Sequence, residues 1–398
     1  MQTRRNFIGN VATGLGSLAT GNVLGANDRI RFGAIGIGER GTQLVREAQA
    51  CPNAECAGFA DIYTRRLEDA KKLAPSAPGH LDYRALLDDK SIDAVLIATP
   101  QHLHAQCFID ALAAGKHVYQ EKTMAFHVAD AKAMRAAYLE TPGRTVQIGH
   151  QALSSGHVTD ASHYLASGGI GKVTAIQARM FRNTPHGKPQ WARPLYPDMT
   201  PENLMWKAFL GNAPERDFDP DRYANWRLFW DYSGGSVHEN MCHQIAFWYK
   251  VMNLSIPQAV SMSGGVYLWK DGREVPDTMH VSMEHAEEIL FSWDSGFGNS
   301  HPGVSEEVLG TDGTIARGQQ IRYLPQKVNR PDGAEILGQT ATPQQAHMRN
   351  FFDCIRTGRE PNAPFDLGYK VSVTCRMAIE SYWQGRTVQW DSAREEIV

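Results

Sequence analysis

The sequence lacks the features that would indicate a nucleic-acid-binding protein or a small protein stabilised by disulfide bonds. Its formal net charge is −3, with 40 basic and 43 acidic side chains, so it has no surplus of positive charge for a phosphate backbone, and no nucleic-acid partner is expected. Long runs of like charge, low-complexity tracts and internal repeats are also missing. None of the six cysteines forms a C-x-x-C pair, and their scattered positions are typical of small buried hydrophobic residues.

A long hydrophobic run is missing from the N-terminus as well. Residues 3–26 read TRRNFIGNVATGLGSLATGNVLGA, in which Gly, Asn, Thr and Ser interrupt the ~18 apolar residues that a membrane span needs. Arg4-Arg5 followed by Asn6-Phe7-Ile8 resembles a twin-arginine export signal, and the segment ends on small residues. We therefore assign residues 1–27 to this signal and expect a periplasmic or exported protein with no membrane span in the mature chain. A disordered start without a signal is the alternative.

Strands and helices alternate through the first half of the chain. With 398 residues, 42% of them hydrophobic, the chain has room for about two domains. Strands are predicted at 30–35, 55–61, 93–100, 117–120 and 145–150, with helical segments between them. This alternation predicts a parallel sheet covered on both faces. Together with the glycine motif at residues 36–41, it assigns residues 28–150 to an NAD(P)-binding Rossmann domain.

A glycine motif lies between the first predicted strand and the helix after it. Gly36, Gly38 and Gly41 form G-x-G-x-x-G, which allows a tight turn and brings the helix N-terminus close to a pyrophosphate. Asp61 ends the second strand, where a carboxylate would bind the adenosine ribose and favour NAD. The nearby Arg65 and Arg66 leave NADP open. The alternative is a glycine turn that binds nothing.

Other polar residues follow the remaining strands of the predicted sheet. Thr99-Pro100, Glu121-Lys122 and Gly149-His150 come at the carboxyl ends of strands, which is where sheets of this kind bind ligands. Lys122 is therefore predicted at the rim, beside a nicotinamide ring, as a cation that orients a substrate hydroxyl and promotes hydride removal. The alternative is a surface lysine paired with Glu121.

Four segments resemble the glucose–fructose oxidoreductase, inositol dehydrogenase and MocA family: GAIGIGERG, DAVLIATPQHLHA, AGKHVYQEKTMA and GGSVHENMCHQIA. The resemblance covers nearly the whole chain after residue 28. Three positions depart from the family pattern: Thr123 replaces the proline of Glu-Lys-Pro, and Glu239 and Met241 replace the Asp and Gly of the second-half motif. With the residues above, the resemblance implies a cofactor-binding set of Gly36, Gly38, Glu39, Arg40, Gly41, Asp61, Thr99, Pro100, His104, Glu121, Lys122 and His150.

The stretch 183–232 is irregular but rich in aromatic residues and arginine. Long loops of this kind are functional or disordered, and this one is too aromatic for disorder. Aromatic faces beside Arg edges suit sugar rings, whose C–H faces stack while their hydroxyls bind polar groups. The alternative is that these residues pack over a sheet or at an oligomer interface. With His238, the candidate substrate residues are Trp191, Arg193, Trp226, Arg227 and Tyr232.

Glu239 and His243 are four residues apart on a predicted helix. That spacing puts them on one face, where the carboxylate would hold the imidazole in one tautomer. We predict that His243 takes the hydroxyl proton while Lys122 holds the same oxygen, so Lys122, Glu239 and His243 are the candidate catalytic residues. A core histidine satisfied by Glu239 is the alternative. The spacing H-E-x-x-x-H excludes the H-E-x-x-H zinc motif, and no metal is expected.

After residue 255 the sequence contains several extended runs, and LGTDGTIARG at 309–318 predicts a hairpin with an Asp-Gly turn. Two helices are predicted near 344–357 and 368–384. Residues 151–398 are therefore assigned to an α+β domain with an open, mainly antiparallel sheet, as the family resemblance also implies. It would bind substrate and form a dimer or tetramer.

Three functions are compatible with these residues. The first is an NAD(P)-dependent oxidoreductase acting on a ring hydroxyl carbon of a sugar, cyclitol or glycoside. The second is a redox-neutral glycosidase that oxidises, eliminates, hydrates and reduces with a bound NAD. The third is a non-catalytic sugar or nucleotide sensor. Because free NAD should be scarce outside the cytoplasm, the export signal favours a tightly held cofactor and a redox-neutral cycle.

Overall fold

A computed structural model describes residues 29–340 and 345–398 of the chain. The predicted export signal, residues 1–27, lies outside the described residues and stays a prediction. The described residues form a six-stranded parallel sheet and a ten-stranded sheet that is mainly antiparallel, so the predicted fold class is confirmed. None of the helices in the described part of the chain is both long enough and apolar enough to cross a membrane.

The first sheet is built from short strands buried by helices on both faces. Its strands are β1 (Ile30–Ile35), β2 (Ala54–Ala60), β3 (Gly79–His80), β4 (Ala94–Ile97), β5 (His117–Gln120) and β6 (Val146–Ile148). They run parallel in the order β3-β2-β1-β4-β5-β6. The five predicted strands are present. The two-residue edge strand β3 escapes prediction because it contains no hydrophobic run.

Helices cover this sheet because each presents one apolar face to it. In the first helix, Leu44, Val45 and Ala48 are buried at helical spacing, while charged residues face outward. This helix begins within the glycine motif, directly after Gly38, so its N-terminal N–H groups lie at the carboxyl edge of the sheet. The helices of this part are α1 (Glu39–Gln49), α2 (Thr64–Lys71), α3 (Tyr83–Asp88), α4 (His104–Ala113) and α5 (Val128–Glu140).

The second sheet follows the alternation of buried and exposed residues along its strands. In the strand Thr278–His285 every second residue is buried, which is the pattern of a sheet covered on one face. The strands are β7 (Val173–Phe181), β8 (Ala259–Gly265), β9 (Thr278–His285), β10 (Ile289–Gly296), β11 (Val304–Gly310), β12 (Gly313–Arg317), β13 (Gln320–Pro325), β14 (Ile336–Thr340), β15 (Val388–Asp391) and β16 (Glu396–Ile397). Their order is β14-β13-β12-β11-β7-β10-β9-β8-β15-β16, with β7 and β10 parallel. The predicted hairpin is the antiparallel pair β11–β12.

The helices of the second half serve both sheets. They are α6 (Gly156–Ala166), α7 (Trp206–Leu210), α8 (Pro220–Ala224), α9 (Cys242–Met252), α10 (Gln345–Thr357) and α11 (Phe365–Gln384). Helix α11 packs on α9 and β8, whereas α10 returns to the first sheet. There the ring of Phe352 lies 5.9 Å from that of Phe32, between centroids. The C-terminal part of the chain therefore completes the core of the nucleotide-binding domain.

Residues 183–232 are held against the nucleotide-binding domain. Tyr63, at the start of α2, is buried in a cluster with aromatic and aliphatic residues of this stretch, among them Leu204, Phe209 and Tyr223. Backbone hydrogen bonds join Thr64 to Asn203 and Met205 to Ile62. The stretch thus forms a bridge that connects the two sheets beside the carboxyl edge of the first.

Candidate active site

A cavity of about 260 Å³ opens at the carboxyl edge of the parallel sheet, where the two sheets approach each other. Side chains from both halves of the chain line it, including Arg40, Thr99, Glu121, Lys122, Glu239 and His243. The structure therefore brings the candidate catalytic residues together with the residues that follow β4 and β5.

The glycine motif has the geometry of a dinucleotide cradle. Gly36 has φ +83°, and a Cβ there would lie 2.9 Å from the backbone of Ala98. A Cβ at Gly41 would lie 1.9 Å from the carbonyl oxygen of Gly36. Only glycine therefore permits this turn and the close packing of α1 on β1, and the residues present fit a bound NAD.

Asp61 stabilises the glycine turn through hydrogen bonds to its backbone. Its carboxylate accepts hydrogen bonds from the backbone N–H of Ile37 at 2.7 Å and of Tyr63 at 3.0 Å. A guanidinium nitrogen of Arg66 lies 3.7 Å away. These hydrogen bonds to the backbone of the turn were not expected from the sequence. The contact of Asp61 with an adenosine ribose stays a prediction.

The structure explains why β5 is followed by a charged pair. Glu121 forms no ion pair with the Lys122 ammonium, although it accepts a hydrogen bond of 3.2 Å from the Lys122 backbone N–H. Its carboxylate also accepts a hydrogen bond of 2.7 Å from Nε of Arg40 and one of 3.1 Å from Gln151. Gly149 leaves room for this carboxylate, because a Cβ at that position would lie 2.9 Å from it. Burial alone would lower the pKa of Arg40. The negative charge of Glu121 and smaller contributions from other neighbours together have the larger effect and raise the pKa of Arg40 above its ordinary value. Glu121 therefore fixes the glycine-motif arginine in the cavity.

Lys122 instead reaches across to the second half of the chain. Its Nζ donates to Glu239 Oε2 at 2.9 Å. Nε of Arg227 lies 3.4 Å from the same oxygen, and Gln101 donates to the other oxygen at 2.7 Å. Burial disfavours the charged form of both groups. The negative charge of Glu239 nevertheless raises the pKa of Lys122 above its ordinary value, and the positive charges of Lys122 and Arg227 lower the pKa of Glu239 to about 2. Lys122 therefore stays protonated, as a hydrogen-bond donor rather than a base.

The expected contact between Glu239 and His243 is not formed, and that prediction is corrected. Residues Val237–Met241 form a π-helical turn just before α9, which has more residues per turn than an α-helix. The Glu239 carboxylate contacts Lys122, Arg227 and Gln101 instead of His243.

His243 is instead accompanied by His150, with ring centroids 5.9 Å apart at nearly perpendicular planes. Burial, reinforced by the charge of Lys122, lowers the pKa of His243 well below its usual value. Burial also lowers the pKa of His150 to about 3. Both rings are therefore neutral at pH 7, and His243 is in the form that accepts a proton.

His104, Tyr232 and His238 lie outside the cavity, and their predicted ligand contacts are corrected. His104 is buried between the carbonyl oxygens of Thr123, at 2.8 Å, and Thr99, at 3.0 Å. Tyr232 is fully buried and its ring packs against His102 and Phe209. His238 is fully buried with Nδ1 3.2 Å from Gln101. All three position the elements around the cavity rather than line it.

The remaining substrate candidates divide into two groups. Trp226 and Arg227 line the cavity, and the guanidinium of Arg227 lies 4.3 Å from the Trp226 ring centroid. Trp191 packs its ring on Phe297 instead. Arg193 forms an ion pair of 2.5 Å with Glu39 in the first turn of α1, beside the glycine motif. Pro100 precedes the 3₁₀ turn Gln101–Leu103 that leads into α4.

One functional position, Gln101, was not identified from the sequence. Gln101 binds Glu239 and also accepts from the backbone N–H of Gly234, so it ties the end of β4 to the second half of the chain. Its place directly after Thr99-Pro100 was the available signal. Thr123, which departs from the family proline, donates from its hydroxyl to the carbonyl of His238 at 2.7 Å. The peptide bond between Lys122 and Thr123 is cis. Within the described residues no cluster of His, Cys, Asp and Glu could hold a metal ion.

Comparison with known proteins gives two family matches. Residues 30–150 match the model of the oxidoreductase family with an NAD-binding Rossmann fold, and residues 209–316 match the GFO/IDH/MocA C-terminal domain. Together these two matches span more than half of the chain.

Curated relatives match over shorter stretches. Inositol 2-dehydrogenase of Salmonella paratyphi B is 29% identical over 154 residues, which is 38% of this chain and 46% of that protein. Glycosyl hydrolase family 109 protein 2 of a Shewanella species is 34% identical over 119 residues, 28% of this chain and 26% of that protein. The chain thus matches about half the length of these relatives or less.

A solved structure is similar over almost the whole fold. Aldose-aldose oxidoreductase from Caulobacter crescentus superimposes with a TM-score of 0.69 at 21% identity, covering 91% of this chain and 99% of that one. This likeness supports the arrangement of two domains described above.

Proposed function

The chain belongs to the glucose–fructose oxidoreductase, inositol dehydrogenase and MocA family and has an NAD-binding Rossmann domain, and from this premise we propose what it does. We propose that it transfers hydride to or from a ring hydroxyl carbon of a sugar, cyclitol or glycoside, with a tightly held NAD. The observation that carries the proposal is the position of Lys122 and His243 in one cavity at the carboxyl edge of the parallel sheet.

Each residue has a part in this reaction. NAD, when bound, supplies the hydride acceptor or donor. The protonated Lys122 donates a hydrogen bond to the substrate oxygen and stabilises negative charge that develops on it. Neutral His243 accepts the proton of the same hydroxyl during oxidation and returns it during reduction. Glu239 holds Lys122 in place through its 2.9 Å ion pair. Trp226 and Arg227 supply an apolar face and polar edges for a ring.

We further propose that the protein is exported and that its reaction is redox-neutral. The sequence around Arg4-Arg5 supports export through the twin-arginine pathway, and a cofactor that cannot exchange must be regenerated in place. Exchanging both residues, Arg4→Lys with Arg5→Lys, should leave the protein in the cytoplasm. Cell fractionation tests this, and continued export of the double variant would remove the argument for a retained cofactor.

A redox-neutral glycosidase is the second candidate. The relative named as a glycosyl hydrolase family 109 protein, 34% identical over 119 residues, favours it. In such a cycle oxidation of a ring carbon acidifies its neighbour, the aglycone leaves, water adds and the hydride returns. Lys122 and His243 would serve the oxidation and reduction steps as above.

One experiment separates these possibilities. The purified protein is mixed with NAD and a panel of free sugars, cyclitols and aryl glycosides, and reduced nicotinamide and released aglycone are followed together. Accumulating NADH with a free sugar indicates a dissociating dehydrogenase. Aglycone release without net NADH indicates the glycosidase, and oxidation of one sugar coupled to reduction of another indicates a two-sugar oxidoreductase. Binding of nucleotide and sugar without any turnover would contradict the proposal and indicate a sensor.

A further inference from the structure

The residue that follows Lys122 connects the nucleotide-binding domain to the turn that carries Glu239. The hydroxyl of Thr123 donates to the backbone carbonyl of His238 at 2.7 Å. Thr123 and His238 are both fully buried, so water does not compete for this hydrogen bond. Thr123 is the chain neighbour of Lys122, and His238 is the chain neighbour of Glu239.

Two contacts therefore join the same two chain segments. The Lys122 ammonium lies 2.9 Å from the Glu239 carboxylate, and the Thr123 hydroxyl lies 2.7 Å from the His238 carbonyl. A lysine side chain is a point charge on a flexible four-carbon stem, so its ion pair alone defines the position of the ammonium poorly. The contact made by Thr123 fixes the distance between the backbone segments from which the two charged side chains extend.

The backbone of Thr123 is held from a second side. Its carbonyl oxygen lies 2.8 Å from Nδ1 of His104, and Nε2 of the same buried ring lies 3.0 Å from the carbonyl oxygen of Thr99. Thr99 lines the cavity at the end of β4. Thr123 is therefore fixed through its carbonyl to the end of a neighbouring strand and through its hydroxyl to the second half of the chain.

The contact depends on a hydroxyl at this position. The thiol of Cys242 lies 2.9 Å from the same carbonyl of His238, but a thiol is a weak donor, so Thr123 is the stronger of these two side-chain donors. A methyl group in place of the hydroxyl could approach the carbonyl only to ~3.3 Å and would move the two segments apart. The proline that Thr123 replaces in the family pattern has no hydroxyl and could not form this hydrogen bond.

We propose that Thr123 is a positioning residue of this active site. Its hydroxyl, bonded to the carbonyl of His238, holds the Lys122 ammonium against the Glu239 carboxylate and directs it at the substrate oxygen. This inference rests on the proposed function of the same cavity and adds a residue that acts through Lys122 without touching substrate. The alignment of Lys122 thereby depends on the contact between the two halves of the chain.

Steady-state kinetics of the NAD-loaded protein provide the first test. Thr123→Val should lower kcat by about 10- to 100-fold and leave KM for the sugar little changed, because a displaced donor no longer meets the reacting oxygen. Thr123→Ser keeps the hydroxyl and should restore most of the rate, whereas Thr123→Ala removes it without adding a contact and serves if the valine variant does not fold. Thr374→Val is the matched control, because Thr374 is fully buried and donates to the carbonyl of Lys370 at 2.9 Å, away from the cavity.

The protonation of Lys122 provides a second readout, which needs no turnover. Burial lowers the pKa of Lys122, but the adjacent Glu239 carboxylate outweighs it, so the pKa stands above its ordinary value. In Thr123→Val the two charges separate while burial remains, so the pKa of Lys122 should fall. Competitive labelling of amines by acetic anhydride across a pH series, read by mass spectrometry with the exposed Lys71 as reference, should move by at least about half a pH unit toward lower pH. The other titratable groups around Lys122, all left in place by the substitutions, include Glu121, Cys242, Arg227, His150 and His243.

Equal kcat values and labelling curves for Thr123→Ala and Thr123→Ser would overturn the inference, as would an equal effect of Thr374→Val. A lower kcat with an unchanged labelling curve would assign Thr123 to folding and overturn it too. Turnover that depends on Lys122 but not on Thr123 would leave the proposed function standing. A labelling curve that moves in Thr123→Val, with no turnover of any sugar by the wild type, would leave the positioning of Lys122 standing and contradict the proposed function instead.

Discussion

At the scale of single residues, the site depends on two neighbouring charges that serve different partners. Glu121 fixes Arg40, whereas Lys122 faces the cavity and meets Glu239. Replacing Lys122 by Ala should lower kcat by about 10²- to 10³-fold, because a donor aimed at the reacting oxygen is lost. The fold should persist, since Gln101 and Arg227 still contact Glu239. Steady-state kinetics and NAD binding by fluorescence measure both effects.

The matched control for this prediction is Lys71→Ala, an exposed lysine at the end of α2. It removes the same charge from the same domain and should leave kcat unchanged. Full activity of the Lys122→Ala variant, or its failure to fold, would contradict the role assigned to this side chain.

The pH dependence of the reaction follows from His243. The imidazole must be neutral to accept a proton, and burial with the charge of Lys122 lowers its pKa well below 6.5. The neutral form is therefore retained as pH falls through 6.5, and kcat/KM for oxidation should stay level there. It should decline only at distinctly lower pH, as the ring becomes protonated. A pH profile tests this, with circular dichroism at each pH to confirm folding; an acid limb centred near 6.5 would contradict it.

At the scale of elements, the stretch 183–232 connects the substrate side of the cavity to the nucleotide-binding domain. Leu204 is buried in this contact and pairs with Tyr63 in an isolated β-bridge. Leu204→Ala should loosen the stretch, because removal of a buried leucine costs about 2–5 kcal/mol, and NAD should dissociate faster. Displacement of bound NADH, followed by fluorescence, gives the rate.

Leu195→Ala is the control for that measurement, because Leu195 belongs to the same stretch but is 48% exposed. It should change neither the release rate nor the midpoint of thermal unfolding. If the Leu204→Ala variant released NADH at the wild-type rate while its unfolding midpoint fell, the stretch would stabilise the fold without retaining the cofactor.

The individual elements show which strands, turns and contacts could be predicted from the sequence and which could not. β1 and β4 were predictable because each is a local apolar run, and the glycine turn because its three glycines lie within six residues. The partners of Glu239 were not predictable, because Lys122 and Gln101 lie 117 and 138 positions away along the chain. The Arg40–Glu121 pair joins residues 81 positions apart, and no periodicity in the chain encodes such a contact.

At the scale of the whole molecule, the second sheet has helices on one face, while its other face is polar and half-exposed. Such a face is suited to a second copy of the chain, and we propose a dimer or tetramer formed through it. Leu290 lies on the exposed face of β10 and is 48% exposed. A charge placed there would be desolvated in an assembly but solvated in a monomer, so Leu290→Asp should shift the protein toward smaller species.

Light scattering coupled to gel filtration measures the mass of both forms. Leu139→Asp serves as the control, because Leu139 is 70% exposed on α5, in the other domain, and should leave the mass unchanged. A wild-type mass equal to one chain would contradict the assembly. A multimer that both substitutions leave intact would contradict the sheet face as its interface, because a charge in the centre of a packed contact could not be accommodated without a partner.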